Sequence, residues 1–318
     1  MKIALLEPLG VKAELVEQLA SPLLKDGHEF VYYSERTTDP DELARRSADC
    51  DVVMLANNPY PAQAVYGAKK LKMIDVAFTG VDHIALDACR ECGITVCNAA
   101  NYSNQAVAEL VIGMAIAMLR RMPEGHAAVK RGGTSAGLCG REICGRTVGV
   151  VGLGKIGLPV AKLFQAFGAR VVAHDAMINP QAEALGIRYV TLPELMRESD
   201  IVTLHTPNNA QTRGLISREM IGLMKKDAVL INCARGPIMD NQALADALRA
   251  GMLAGAAVDV YDMEPPIPAN YPLQQAPNII LTPHVAFLTE ESMERRAHIA
   301  FENLYAYLQG RPQNVCPL

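Results

Sequence analysis

Three side chains suited to carbonyl chemistry stand just beyond three β-favouring runs. Arg235 follows Ala228–Cys233, Glu264 follows Ala254–Asp259, and His284 follows Ile279–Thr282. Runs of this kind, as strands of one open sheet, bring a guanidinium, a carboxylate and an imidazole to one rim. A guanidinium grips a carboxylate bidentately and polarises the ketone beside it. An imidazolium donates a proton to the carbonyl oxygen as hydride arrives at carbon, and a neighbouring carboxylate orients the ring and favours its charged form. That is the equipment for reducing a 2-oxo acid. Taken singly, each residue also suits a solvated strand end, a turn before Pro265-Pro266, or a capped loop.

Hydride needs a carrier, and Val148–Asp175 supplies a place for one. Four apolar residues run into Gly152-Leu153-Gly154-Lys155-Ile156-Gly157, a helical pattern follows, and Arg170–Ala173 then delivers Asp175. Strand, glycine turn, helix, strand and acid form the dinucleotide-binding βαβ order. The helix start aims unpaired N–H groups and a positive dipole end at a pyrophosphate. Asp175 comes 23 residues after Gly152, near the roughly 20 at which a carboxylate meets the ribose hydroxyls. It would repel a 2′-phosphate, and Ala176-Met177 brings no arginine to offset that, so NAD is expected rather than NADP.

The elements around these residues read as α/β. At 318 residues there is material for two domains. Short strands are expected at Lys2–Leu6, Glu29–Tyr33, Asp51–Ala56, Lys72–Ala77 and Thr95–Asn98, with helices such as Ala13–Leu24 and Pro40–Ala48 between them, the latter capped by Asp39. No glycine fingerprint follows the first strand, so this is not a second nucleotide site. Loops Asn57–Tyr60 and Phe78–Asp82 follow strand ends, where open α/β sheets bind ligands. Residues 104–121 predict a helix that is apolar nearly all round and must be covered on several sides. We expect it to cross between domains and to pack on a second copy of the chain. Residues 122–147 read as a glycine-rich, basic surface connection, after which strand and helix signals alternate to Thr282. The final helix, Glu290–Leu308, is expected to return to the first domain. The expected domains are therefore 1–98 with 289–318 for substrate, and 99–288 for NAD.

Composition sets the remaining bounds. A net charge of −4 gives no electrostatic case for nucleic acid or an anionic membrane. The start MKIALLEPLG meets an acid and a proline too early for a secretory signal, and Ala106–Leu119 is too short to span a bilayer. Eight cysteines lack a disulfide framework's spacing, and Cys89-x-x-Cys92 has no matching pair for zinc. A cytoplasmic protein without a metal is expected.

On these segments the chain resembles the D-2-hydroxyacid dehydrogenase family over nearly its whole length. The matching stretches are Gly80-Val81-Asp82, Ala108-Glu109-Leu110, the glycine turn with Asp175, His205-Thr206-Pro207, Asn232–Gly236, Asp259-Val260 with Glu264-Pro265-Pro266, and Thr282-Pro283-His284. The resemblance implies two doubly wound, Rossmann-like parallel-sheet domains, a flavodoxin-like one for substrate and one for NAD. It implies His284 as acid/base, Glu264 as its partner and Arg235 as carboxylate and carbonyl anchor. Lys155, Ile156, Asp175, Thr206, Pro207, Cys233, Ala234 and Asp259 would line the NAD site together with the three glycines. Backbone N–H groups near Thr79 and Gly80 would hold the substrate carboxylate, and the assembly would be a homodimer through helix 104–121; Asn57, on its strand-end loop, is a further expected substrate-binding residue.

Three departures bear on substrate. Asp75–Thr79 lacks the arginine common there in phosphoglycerate dehydrogenases and Asn57–Tyr60 has no cation, so an unphosphorylated acid is expected. Phe287 and Leu288 stand where many relatives carry small residues or tryptophan, and with the sequence running to Leu318 the C-terminal regulatory domain of some relatives is not expected. Two rival readings remain open: an NAD(H)-sensing, corepressor-like protein, and a dehydrogenase of a related anion such as phosphite or formate.

Overall fold

The computed structural model describes all residues, 1–318. Its backbone divides into two units, Met1–Ser103 with Leu288–Leu318, and Asn104–Phe287. The breaks fall at 103/104 and 287/288, where 98/99 and 288/289 were expected. Helix Asn104–Leu119 accounts for the first difference, because its main packing partners all belong to the second unit.

The first unit alternates β1 (Lys2–Leu5), α1 (Ala13–Lys25), β2 (Glu29–Tyr32), α2 (Pro40–Ser47), β3 (Val52–Leu55), α3 (Ala62–Gly67), β4 (Met73–Val76), α4 (Leu86–Glu91) and β5 (Thr95–Asn98). Its strands pair in parallel in the order β2-β1-β3-β4-β5. This is the flavodoxin-like order, whose switch point lies between β1 and β3. β3 and β4 are buried at every position, as strands covered on both faces must be. Asp39 caps α2 by accepting from the Asp41 N–H at 3.0 Å.

The second unit contains α5 (Asn104–Leu119), α6 (Met122–Lys130), β6 (Thr147–Val151), α7 (Gly157–Ala166), β7 (Arg170–His174), α8 (Pro180–Ala184), β8 (Arg188–Tyr189), α9 (Leu192–Glu198), β9 (Ile201–Leu204), α10 (Arg218–Gly222), β10 (Val229–Asn232), α11 (Asn241–Arg249), β11 (Gly255–Val258) and β12 (Ile279–Leu281). Its seven strands are parallel in the order β12-β11-β10-β9-β6-β7-β8. The order reverses beside β6, whose C-terminal end carries the glycine turn. Helix α5 lays Val107, Val111, Met114 and Ala115 on α7 and the β10–β12 side of the sheet.

One expected connection is a helix instead. Residues 122–130 form α6 with Pro123 in its first turn, and none of its side chains is buried. Without an apolar stripe its sequence carries no periodic signal.

Helix α12 (Glu290–Leu308) packs on α1, β4 and β5 of the first unit. Its buried Asn303 donates to Asp75 Oδ1 and to the Asn98 carbonyl, both at 3.0 Å, and accepts from Asn314 Nδ2 at 2.8 Å. Burial pushes the Asp75 carboxyl well above its ordinary value, against the pull of the Asn303 amide. No helix is long and apolar enough to cross a membrane.

Candidate active site

The glycine turn has no room for a side chain at two of its three glycines, Gly152 and Gly157. Gly152 has φ +95°, and a Cβ there would stand 2.8 Å from the His205 carbonyl. A Cβ on Gly157 would stand 1.9 Å from the Gly152 oxygen, so α7 can begin this close to the turn only with glycine. A Cβ on Gly154 would meet nothing, which leaves that backbone open to a phosphate. Asp175 directly follows β7, with Oδ2 accepting from Leu153 N–H at 2.6 Å and Oδ1 from Met177 N–H at 3.0 Å. Each oxygen keeps a second lone pair for a ribose hydroxyl.

Opposite the turn, beyond β9, Thr206 Oγ1 and Asn208 Oδ1 are buried without a hydrogen-bond partner. Buried polar atoms are almost always satisfied, and the Thr206 side chain stands 3.0 Å from where a Gly152 Cβ would be, so its orphaned hydroxyl suits a polar ligand on the glycine turn. Lys155 is exposed, Ile156 partly buried, and Pro207 exposed along the same path. These residues fit a dinucleotide. His205, hydrogen-bonded to Thr203 Oγ1 at 2.9 Å, is pushed down to about 3 by desolvation and stays neutral.

β10, β11 and β12 lie side by side, so the loops after them share one rim. His284 Nδ1 stands 2.8 and 2.9 Å from the two Glu264 oxygens. The histidine side chain is 11% exposed and the glutamate 57%, so the pair has one dry and one wet member. The Phe287 ring meets His284 edge to face at 5.3 Å.

Two buried polar residues shape these strand ends. Asn232 accepts from Ala234 N–H and donates to the Arg235 carbonyl, both at 3.0 Å, fixing the turn that presents Arg235. Asp259 accepts from Val285 N–H at 2.9 Å, from Ala286 N–H at 2.8 Å, and from the Thr282 hydroxyl. Burial pushes the Asp259 carboxyl up, against the pull of these donors. Its carboxylate is thereby committed to the turn that holds His284 at φ +56°. Cys233 turns its thiol into the core, 3.5 Å from Met114 Sδ, leaving backbone and Ala234 to face the rim. Asn232's bracing role was not read from the sequence; a buried amide closing a strand-end turn has no signature in one chain.

The first unit's candidate residues are arranged on its own sheet edge. Asn98 Nδ2 donates to the Thr79 carbonyl at 2.7 Å. In a planar trans peptide the Gly80 N–H must then point the opposite way. Asn57 lies between Ala56 and Asn58, whose N–H groups both donate to Glu7 Oε1 at 2.8 Å. The loop Asn57–Tyr60 carries no cation of its own, yet Arg36 from beyond β2 reaches it. Its Nε donates to Asn58 Oδ1 and lies 3.6 Å from Glu7 Oε2. Leu288 is 54% exposed. No three metal-ligating side chains cluster anywhere in the chain.

A family model described as "D-isomer specific 2-hydroxyacid dehydrogenase, NAD binding domain" matches residues 112–286. A D-3-phosphoglycerate dehydrogenase of Methanocaldococcus jannaschii is 39% identical over 85% of this chain, which spans 52% of that relative's length. A glyoxylate reductase of Thermofilum pendens is 35% identical over 91% of this chain and 88% of its own. Among solved structures, the NAD-complexed D-isomer specific 2-hydroxyacid dehydrogenase of Lactobacillus delbrueckii ssp. bulgaricus superposes with a TM-score of 0.80. It is 30% identical, with all of both chains covered.

Proposed function

This chain belongs to the D-isomer specific 2-hydroxyacid dehydrogenase family, and we propose that it interconverts a small, unphosphorylated 2-oxo acid and its D-2-hydroxy acid. NAD(H), when bound, supplies or takes up the hydride. The observation that carries the reading is the His284–Glu264 pair, 2.8 Å apart on the rim that also presents Arg235.

In the reducing direction Arg235 grips the substrate carboxylate with its planar fork and draws electron density from the ketone. His284 donates its proton, from Nε2, to the carbonyl oxygen. Glu264 on Nδ1 holds the ring in that orientation and stabilises the imidazolium before the proton leaves. Oxidation runs the same proton backwards, to a neutral ring. The loops with Asn57, Thr79 and Gly80 are assigned to substrate binding, with the Gly80 N–H as donor to the carboxylate. A phosphorylated acid fits less well, because the cation at Asn58, Arg36, already faces the buried Glu7 carboxylate.

NAD is preferred over NADP because Asp175 is followed by Ala176 and the exposed Met177 rather than by a cation. Eight free cysteines support a reducing, cytoplasmic setting. A homodimer through α5 is supported by Leu110, Ile116 and Met118, which the second unit leaves only partly covered. Met122 and Val129 on the next helix, α6, are also exposed.

The proton assignment is tested by initial rates in both directions across pH. Reduction consumes a proton and should fall as pH rises, and oxidation releases one and should fall as pH drops. Parallel limbs would remove His284 from the proton path.

A further inference from the structure

Glu264 is more than half exposed and follows a strand by six residues, so burial does not hold it in place. Its loop is instead fastened two residues earlier. Asp262 Oδ1 accepts from Asn241 Nδ2 at 3.0 Å, and Oδ2 accepts from the Tyr271 hydroxyl at 2.9 Å. Asn241 belongs to the other catalytic segment. It opens α11 just after the turn that presents Arg235, and its Nδ2 also lies 3.4 Å from the Gly236 carbonyl.

The two segments are already in backbone contact there. A Cβ on Gly236 would stand 2.0 Å from the Tyr261 carbonyl, so glycine lets the strand-end turns touch. Tyr261 in turn donates its hydroxyl to the Thr282 carbonyl at 2.8 Å, two residues before His284. Its ring packs edge to face on Tyr271 at 5.7 Å. Burial, and then the Asp262 carboxylate, push the Tyr271 phenol up, so it remains a donor.

We propose that Asn241 and Tyr271, acting through Asp262, are positioning residues that hold Glu264 against His284 and keep the Arg235 turn in register with both. The inference rests on the reading of His284 and Glu264 as the proton-transfer pair. Neither Asn241 nor Tyr271 touches a reacting atom in this account. Their part is to remove slack from a wet loop, because a displacement of about 1 Å at a reacting group can cost roughly 100-fold in rate.

The test uses Tyr271→Phe, which deletes one hydroxyl and keeps the ring contact, and Asn241→Ala, both in the full chain. Each should lower kcat roughly 10- to 100-fold on the best 2-oxo acid while leaving NADH affinity in place. Each should also speed amide exchange across residues 260–267, read by mass spectrometry. Unchanged exchange there, or a kcat loss matched by an equal loss of NADH affinity, overturns the proposal. Wild-type protein that binds NADH but turns over no 2-oxo acid would count against the function instead, and the exchange measurement still decides the clasp.

Discussion

His284 sits at φ +56°, a conformation that favours glycine, and it is kept there by its N–H bonds to the Asp259 and Thr282 carbonyls at 2.9 and 3.0 Å. The surrounding turn fixes the ring, so His284→Ala should remove the proton donor and little else. We expect kcat to fall roughly 10²- to 10⁴-fold with NADH affinity retained, measured by steady-state rates and NADH fluorescence. Equal losses in both would make the residue structural. Arg235→Lys tests the fork: a point charge cannot reproduce two parallel bonds, and kcat/KM should drop roughly tenfold or more. An unchanged KM for the 2-oxo acid would contradict the carboxylate contact. The types at 235, 264 and 284 were legible from the sequence because proton and carboxylate chemistry restricts the choice of side chain. Asn232 and the Asn241–Asp262–Tyr271 clasp were not, since polar residues that brace a turn acquire meaning only from partners brought in by the fold. Arg36 went unseen for the same reason, lying 22 positions from Asn58 in the chain.

The glycine turn is the element most fully written in the sequence, because spacing alone sets which backbone atoms can meet. Gly157→Ala would drive a methyl into the Gly152 carbonyl. It should abolish NADH binding and cost about 1–3 kcal/mol of stability, seen by NADH titration and urea unfolding; normal binding would mean the turn can yield. The end of β9 makes a pH prediction. His205 drops from its ordinary value, about 6.5 in the unfolded chain, to about 3 in the fold. Between those values the unfolded chain binds a proton that the fold refuses. Stability therefore falls as pH falls through that window, by at most about 1.4 kcal/mol per pH unit, and the group contributes nothing above it. Urea unfolding at about pH 7 and about pH 5 should show a shallower acid loss in His205→Gln than in wild type; equal slopes would contradict the buried neutral ring. Strands were legible to within a residue or two through their apolar runs, as at Thr95–Asn98. Helix α6 and the short α8 and β8 were missed, because solvent-facing or two-residue elements leave no periodicity to read.

At the scale of the molecule, both chain ends build one unit, through Asn303 and its bonds to β4, β5 and the tail. Helix α5 was legible as needing cover because its apolar residues run round the whole helix. What covers the part that α7 and the sheet leave open is a question for solution. Light scattering at micromolar concentration should give twice the 34.3 kDa chain mass, and Leu110→Arg should give the single mass with NADH binding intact; a monomeric wild type would end the dimer proposal. The substrate is the least legible feature, since the size of an acid is read by shape rather than by any motif that one sequence displays. The most direct test of the account is loss of NADH absorbance by the purified chain. It would be offered glyoxylate, hydroxypyruvate, pyruvate, and branched and aromatic 2-oxo acids, with phosphohydroxypyruvate and NADPH alongside. Turnover of one or two small unphosphorylated acids with NADH is expected, with much weaker turnover with NADPH. NADH binding without turnover of any 2-oxo acid, or NADH formed only from formate or phosphite, would contradict it.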